Sequence, residues 1–149
     1  LANAANFSAP EAIFLMGGNE FTVSGLSGSG TIMNGNVTVT DGIYPGAKGE
    51  IGTLHLANSD TTLSGALHVD VGENGESDCL DAPGGIDLSQ LNLVVENLDE
   101  LASGNVYTIA TGKLSGNFDG TNLSGTPWMV FASGNSAKLM TGGTLFMLR

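Results

Sequence analysis

The chain has 149 residues, 41% of them hydrophobic, which is enough for one domain with a buried core and too apolar for a disordered chain. Lys and Arg number 4 against 15 Asp and Glu, and the resulting formal charge of −11 repels nucleic acid and anionic lipid, both of which are bound through Lys and Arg. Gly 23, with 13 each of Asn, Ser and Thr, marks a chain that turns often, and the single cysteine, Cys79, excludes an intrachain disulfide and a multi-cysteine metal site.

Taken from the N-terminus, the chain opens at Leu1 with neither Met nor a leader pattern, from which a longer parent upstream is expected. AIFLM at 12–16 and LNLVV at 91–95 are its apolar runs, far short of the roughly 18–20 residues of a membrane helix. GLSGSG at 25–30 has the glycine content of a phosphate-binding loop. It lacks the GxGxxG spacing, no Lys follows until Lys48, and a β-branched stretch comes next, so it reads as a corner between strands. Turn signals recur at Gly17-Gly18, Asn34-Gly35, Asp41-Gly42, Pro45-Gly46, Asn74-Gly75, Pro83-Gly84-Gly85, Asp119-Gly120 and Gly142-Gly143. Between them lie alternating segments: VTV (37–39), LHL (54–56), LHVDV (67–71), LNLVV (91–95), VYTI (106–109), WMVF (128–131) and TLFML (144–148). Period-2 alternation makes these strands. DLSQLNLVVENLDELASG (87–104) could form an amphipathic helix capped by Asp87, but Val94-Val95 and its strand neighbours favour strand, with a helical turn near 98–102.

Strand starts at 54, 67, 79 and 91 suggest a rung of about 12 residues, the mark of a stacked solenoid or of a β-sandwich. A recurring Leu-Ser-Gly cassette at 26–28, 63–65, 114–116 and 123–125 favours the solenoid. A single coil cannot bury its own apolar side, so coils must stack and the last one needs a cover. The expected architecture is therefore an all-β parallel β-helix over 1–112. Residues 113–149 would close it, with Trp128, Val130, Phe131, Leu145 and Leu148 sealing the end.

The order of GLSGSGTIMNGNVTVTDGIYPG, KGEIGTLHLANSDTTLSGALHVDVGENGESDCLDAPGGIDL and LNLVVENLDELASGNVYTIATG resembles the autotransporter-associated β-strand repeats of bacterial surface passengers. The matching motifs are Gly28 to Ile32, Pro45-Gly46 with Ile51 to Leu54, Ser77-Asp78-Cys79-Leu80, and Gly104 to Ile109, and the likeness spans roughly residues 22–149. It implies a right-handed parallel β-helix exported to the cell surface, with C-terminal rungs that act as a folding nucleus. Autotransporters continue into a membrane barrel, which the sequence to Arg149 does not include, so the expectation is either that a barrel follows or that the chain belongs to surface proteins that carry such repeats without one.

Three groups of residues suggest chemistry. DVGENGESDCLD (70–81), numbered as a twelve-residue calcium loop, offers Asp70, Asn74, Glu76, Asp78 and Asp81 as oxygen donors. Gly72 stands where a ligand is required and the flanks are strands, so a solvated acidic turn is the simpler reading. His55 and His68, about one expected rung apart, would point outward side by side on successive rungs and, with Cys79, could hold a metal. Two exposed histidines more often form a surface ladder, whose joint protonation would set like charges together. For nucleophilic catalysis there is no Gly-x-Ser-x-Gly elbow and no evident carboxylate to orient either histidine. Paired carboxylates for glycoside cleavage would need basic and aromatic partners, which are scarce here.

No catalytic, cofactor-binding or metal residue is assigned, and no cofactor is implied. The expectation is a non-enzymatic structural module: a C-terminal β-helix segment and cap of a bacterial cell-surface or secreted protein, extracellular, with upstream β-helix repeats of the same protein as partner. The alternative is an adhesin-like module that binds calcium, or host or cell-surface glycans, through outward Asn and Thr ladders. A polysaccharide-active enzyme fragment ranks below it.

Overall fold

The computed structural model describes residues 5–7, 13–57 and 62–141. Eleven strands are described: β1 (Ala5–Phe7), β2 (Ile13–Gly28), β3 (Thr31–Pro45), β4 (Thr53–Leu56), β5 (Thr62–Val69), β6 (Cys79–Asp87), β7 (Leu91–Val95), β8 (Tyr107–Ser115), β9 (Gly120–Thr121), β10 (Trp128–Ala132) and β11 (Ser136–Thr141). Two single 3-10 turns, Leu88–Gln90 and Leu98–Glu100, are the helical elements among them. The amphipathic-helix alternative for 87–104 thus resolves into a strand with a turn on either side, and Asp87 caps the first turn by accepting the Ser89 N–H.

The strands pile in parallel as a β-solenoid of about three turns. Four rungs are legible: β3, then β4 with β5, then β6 with β7, then β8 with β9. Each runs over a first face, a second face and a third face before a corner carries it to the next level. On the first face Thr31 lies beside His55, His55 beside Asp81, and Asp81 beside Thr111. On the third face Ile43, Leu67, Leu93 and Thr121 follow one another in register. One rung therefore takes about twice the length expected from the spacing of strand starts. The interval from Leu54 to Leu67 carries the chain from the first face to the third face of the same rung. Beneath the first rung, β2 pairs with β3 at a shorter step, with Val23 beside Val39 and Leu26 beside Ile43.

Alternation drives this arrangement, since every second residue of a strand points inward. Ile32, Leu54, Leu80 and Ile109 from the first face meet Val37, Leu63 and Ile86 from the second and Ile43, Leu67 and Leu93 from the third, all buried in one core. The corners need glycine where backbones crowd. Gly112 has φ 116, and a Cβ there would lie 2.2 Å from the carbonyl oxygen of Ala82 on the rung below.

At the far end the parallel ladder gives way to an antiparallel hairpin, β10 against β11, with β11 antiparallel to β8. Trp128 is buried and meets the Tyr107 ring edge-on at 5.7 Å between centroids. Val130 is half-buried against the same core and Phe131 is half-exposed. Leu145, Leu148 and the expected strand at 144–148 lie outside the described residues. GLSGSG is a corner as read: Ser29 and Gly30 bend the chain from β2 into β3, and Gly46 N–H donates to the Gly28 carbonyl at 2.9 Å.

Candidate functional site

The two histidines do not stand side by side. His55 sits on β4, on the first face, and His68 on β5, on the third face, because the chain between them crosses from one face to another within a single rung. Each also has the orienting carboxylate that the sequence did not reveal. His55 Nδ1 lies 3.1 Å from Asp81 Oδ2 on the neighbouring strand, and the Thr111 hydroxyl donates to the other oxygen of Asp81 at 2.9 Å. On the third face His68 Nδ1 hydrogen-bonds Glu96 Oε1, while its ring stacks on Tyr44 at 4.5 Å between centroids. Lys48 stands over the Tyr44 ring, 5.8 Å from its centroid. Burial, and then the charges of Glu96, Asp41 and Asp70, raise the Tyr44 phenol above its ordinary value. Lateral pairing in a parallel sheet explains both dyads, since positions one full rung apart in the chain become immediate neighbours.

Cys79, on the first face two residues before Asp81, makes its side-chain contact with Thr111. Its sulfur lies 3.9 Å from the Thr111 hydroxyl, and burial pushes the thiol upward, opposed by that hydroxyl and reinforced by the charges of Asp81 and Asp78. A deprotonated, metal-ready sulfur is disfavoured in such surroundings.

The loop read as a calcium candidate is a corner between the second and third rungs, closed by an antiparallel bridge between Val71 and Ser77. Its oxygens do not converge. Asp78 is fully buried, with Gly52 N–H donating to one carboxylate oxygen and Asp70 N–H to the other, both at 2.8 Å. Asp70 turns its own carboxylate to the Gly49 N–H at 2.9 Å. Glu76 folds back on the Asn74 N–H, and Asp81 is engaged with His55. Among the described residues no group of three His, Cys, Asp or Glu side chains is placed to hold a metal ion. Burial pushes the Asp78 carboxyl up to about 7; its two backbone N–H donors work in the opposite direction, and the Asp70 charge adds to the rise.

Two asparagines, Asn97 and Asn122, are bound to backbone rather than free for an outward ladder. Asn97 accepts the Val71 N–H and donates to the Val71 carbonyl, and Asn122 does the same for Val95. In each case an amide side chain stands in for a strand edge at the corner, joining one rung to the next. An Asn placed one rung after a buried Val is the signal that marks them, visible once the rung length is known. Ser and Thr ladders do remain on the second face, where Thr62 donates to Asn36 at 2.8 Å and Ser64 to Thr38 at 3.4 Å.

The second face also holds a concavity of about 470 Å³. It opens where β5 and β6 are not paired: Thr62–Ser64 pair with β3 below, and Ile86–Asp87 with β8 above. Leu63, Ile86 and Leu114 floor it, and Asp87, Gln90 and Lys113 stand at its rim. The Ser89 hydroxyl and N–H both bond Asp87 and hold its carboxyl below the usual carboxylate range. No helix of the described residues is long and apolar enough to cross a membrane. Comparison with protein-family models, with curated proteins and with solved structures found no match.

Proposed function

We propose that the chain is a non-enzymatic structural module, a β-helix segment of a bacterial cell-surface or secreted passenger-type protein that supports and displays neighbouring repeats. The observation that carries this reading is the single apolar core running unbroken through four in-register rungs, from Leu26 to Leu139. Such a stack is built to transmit order along one axis, each rung serving as the floor of the next. The antiparallel hairpin at one end suits a cap, because it replaces an open parallel edge with a short strand that other chains pair with poorly. Surface exposure is tested by treating intact cells of the source organism with protease and identifying the released peptides. Peptides from this chain are expected in the supernatant before lysis. Their appearance only after lysis would contradict the proposal.

The concavity between β5 and β6 supports a second reading, a ligand-binding module. An apolar floor with Asp87, Gln90 and Lys113 at its rim can take an uncharged polar chain such as a glycan. Binding on a glycan array that is lost in Lys113→Ala would establish it, and no binding by the native protein would remove it. Calcium is the poorer ligand here, since the acidic corner's carboxylates already have partners. Millimolar calcium is expected to leave the melting temperature unchanged.

A further inference from the structure

Asparagine followed by glycine is a reactive pair as well as a turn signal. A glycine carries no Cβ to hinder it, so its backbone nitrogen can reach the preceding side chain and close a cyclic imide. Aspartate followed by glycine closes the same ring more slowly, with water as the leaving group. Four such pairs stand among the turn signals of the sequence: Asn34-Gly35, Asp41-Gly42, Asn74-Gly75 and Asp119-Gly120.

The fold separates these four. Gly35 and Gly42 lie inside β3, beside Asn19 and Gly25 of β2, and Gly120 lies in β9 beside Asn92. A strand must leave its ladder before its backbone can turn back on a side chain, so folding protects all three. Space is short at two of them as well: a Cβ on Gly42 would lie 2.8 Å from the Tyr44 ring, and one on Gly120 would lie 3.0 Å from Asn92 Oδ1. Gly75 differs on each count. It sits at the tip of the acidic corner with φ 91, and the nearest neighbour of an added Cβ is the Val106 carbonyl oxygen at 3.6 Å. Asn74 is exposed. Among the described residues neither the Asn74 carboxamide nor the Gly75 N–H has a hydrogen-bond partner, whereas the amides of Asn36, Asn97, Asn105, Asn122 and Asn135 are all engaged.

We propose that Asn74 is a site of spontaneous covalent modification, at which the folded chain converts its Asn74-Gly75 link into an isoaspartyl link.

The chemistry needs only water. The Gly75 nitrogen gives its proton to solvent base and bonds to Asn74 Cγ, and the carboxamide nitrogen takes up a proton and leaves as ammonia. Water then opens the ring at one of two bonds. Breaking the new bond to Cγ restores the original backbone with Asp at position 74. Breaking the bond to the main-chain carbonyl carbon leaves the chain running through the side chain, which is isoaspartate, with the old carbonyl now a free carboxylate. In both outcomes one water enters and one ammonia departs, with no oxidant or reductant involved.

The corner is framed so that the tip can react while the rungs stay in place. Val71 and Ser77 are bridged, and the Gly72 N–H donates to the Glu76 carbonyl at 2.8 Å. Asn105 of the next rung donates to the Glu73 carbonyl at 2.8 Å, and the Glu76 carboxylate accepts the Asn74 N–H at 3.0 Å. The extra backbone atom of isoaspartate therefore falls on the two residues between these anchors. The carboxylate it creates stands between Glu73 and Glu76, so a corner that is already acidic in a chain of charge −11 becomes more so.

The test incubates the native chain in mildly alkaline buffer, folded and in urea, and digests samples with trypsin over time. Cleavage after Lys48, Lys113 and Lys138 places Asn34 and Asp41 on one peptide, Asn74 on a second and Asp119 on a third. Isoaspartate is read by labelled methyl transfer from an isoaspartyl methyltransferase, and its position by fragmentation mass spectrometry. In the folded chain the product is expected at position 74, at a rate close to that in urea, while the rate at Asn34 falls at least about tenfold on folding because β3 must open first. Asn74→Gln, whose longer side chain would have to close a larger and slower-forming ring, is expected to lose the folded-chain signal from its peptide. A rate at Asn74 that folding suppresses as strongly as at Asn34, or a signal on that peptide that survives in Asn74→Gln, overturns the proposal.

Discussion

Trp128 is the largest apolar side chain in the terminal hairpin, buried against Tyr107 and lining a concavity with Phe118 and Leu123. Trp128→Ala removes that contact area and leaves a cavity, so it should lower unfolding free energy by about 3–5 kcal/mol in a denaturant melt. A loss under about 0.5 kcal/mol would place the indole outside the core. Cys79 makes an opposite kind of claim, about reactivity. With its thiol raised by burial and its sulfur against Thr111, alkylation by iodoacetamide at neutral pH should run at least about tenfold slower in the folded chain than in the unfolded one. Equal rates would show an open, ordinary thiol. At this scale the sequence was only half legible. Alternation correctly told which residues face inward, as with Leu54 and Leu56 flanking His55. Which outward residues touch could not be read, because Asp81 and Glu96 reach the histidines from a full rung away in the chain.

Strands were legible as elements for a simple reason. VTV, LHL, LNLVV and WMVF alternate, and all four fall inside β3, β4, β7 and β10. Their grouping into rungs was not. Leu54 and Leu67 bury equally well whether they belong to successive coils or to two faces of one coil, so the interval between them carries two meanings. Lateral partners decide between them, and only the fold supplies those. The crowding at Gly112 turns that register into a prediction. Gly112→Ala must place a Cβ against the Ala82 carbonyl at positive φ and should cost at least about 2 kcal/mol. Gly104 has φ 92 and nothing within 4 Å of the same added atom, so Gly104→Ala should cost about 1 kcal/mol. Parallel denaturation curves that show equal losses would mean that β6 and β8 are not packed as described.

Across the whole molecule, a charge of −11 on 149 residues sits on a continuous apolar interior. Like charges on the outside favour dispersal and keep neighbouring molecules apart, while the core supplies cohesion along the stack. The proposed role as a support for neighbouring repeats needs that cohesion. It rests on the chain being wound in long rungs that pass three faces before returning, rather than folded back on itself at every strand. Nuclear Overhauser contacts between backbone protons read this directly. The solenoid predicts contacts that link Ile43 to Leu67 and Leu67 to Leu93 on one face, and Leu54 to Leu80 and Leu80 to Ala110 on another. Contacts that instead pair the 54–56 segment with 67–69 as adjacent antiparallel strands would contradict it.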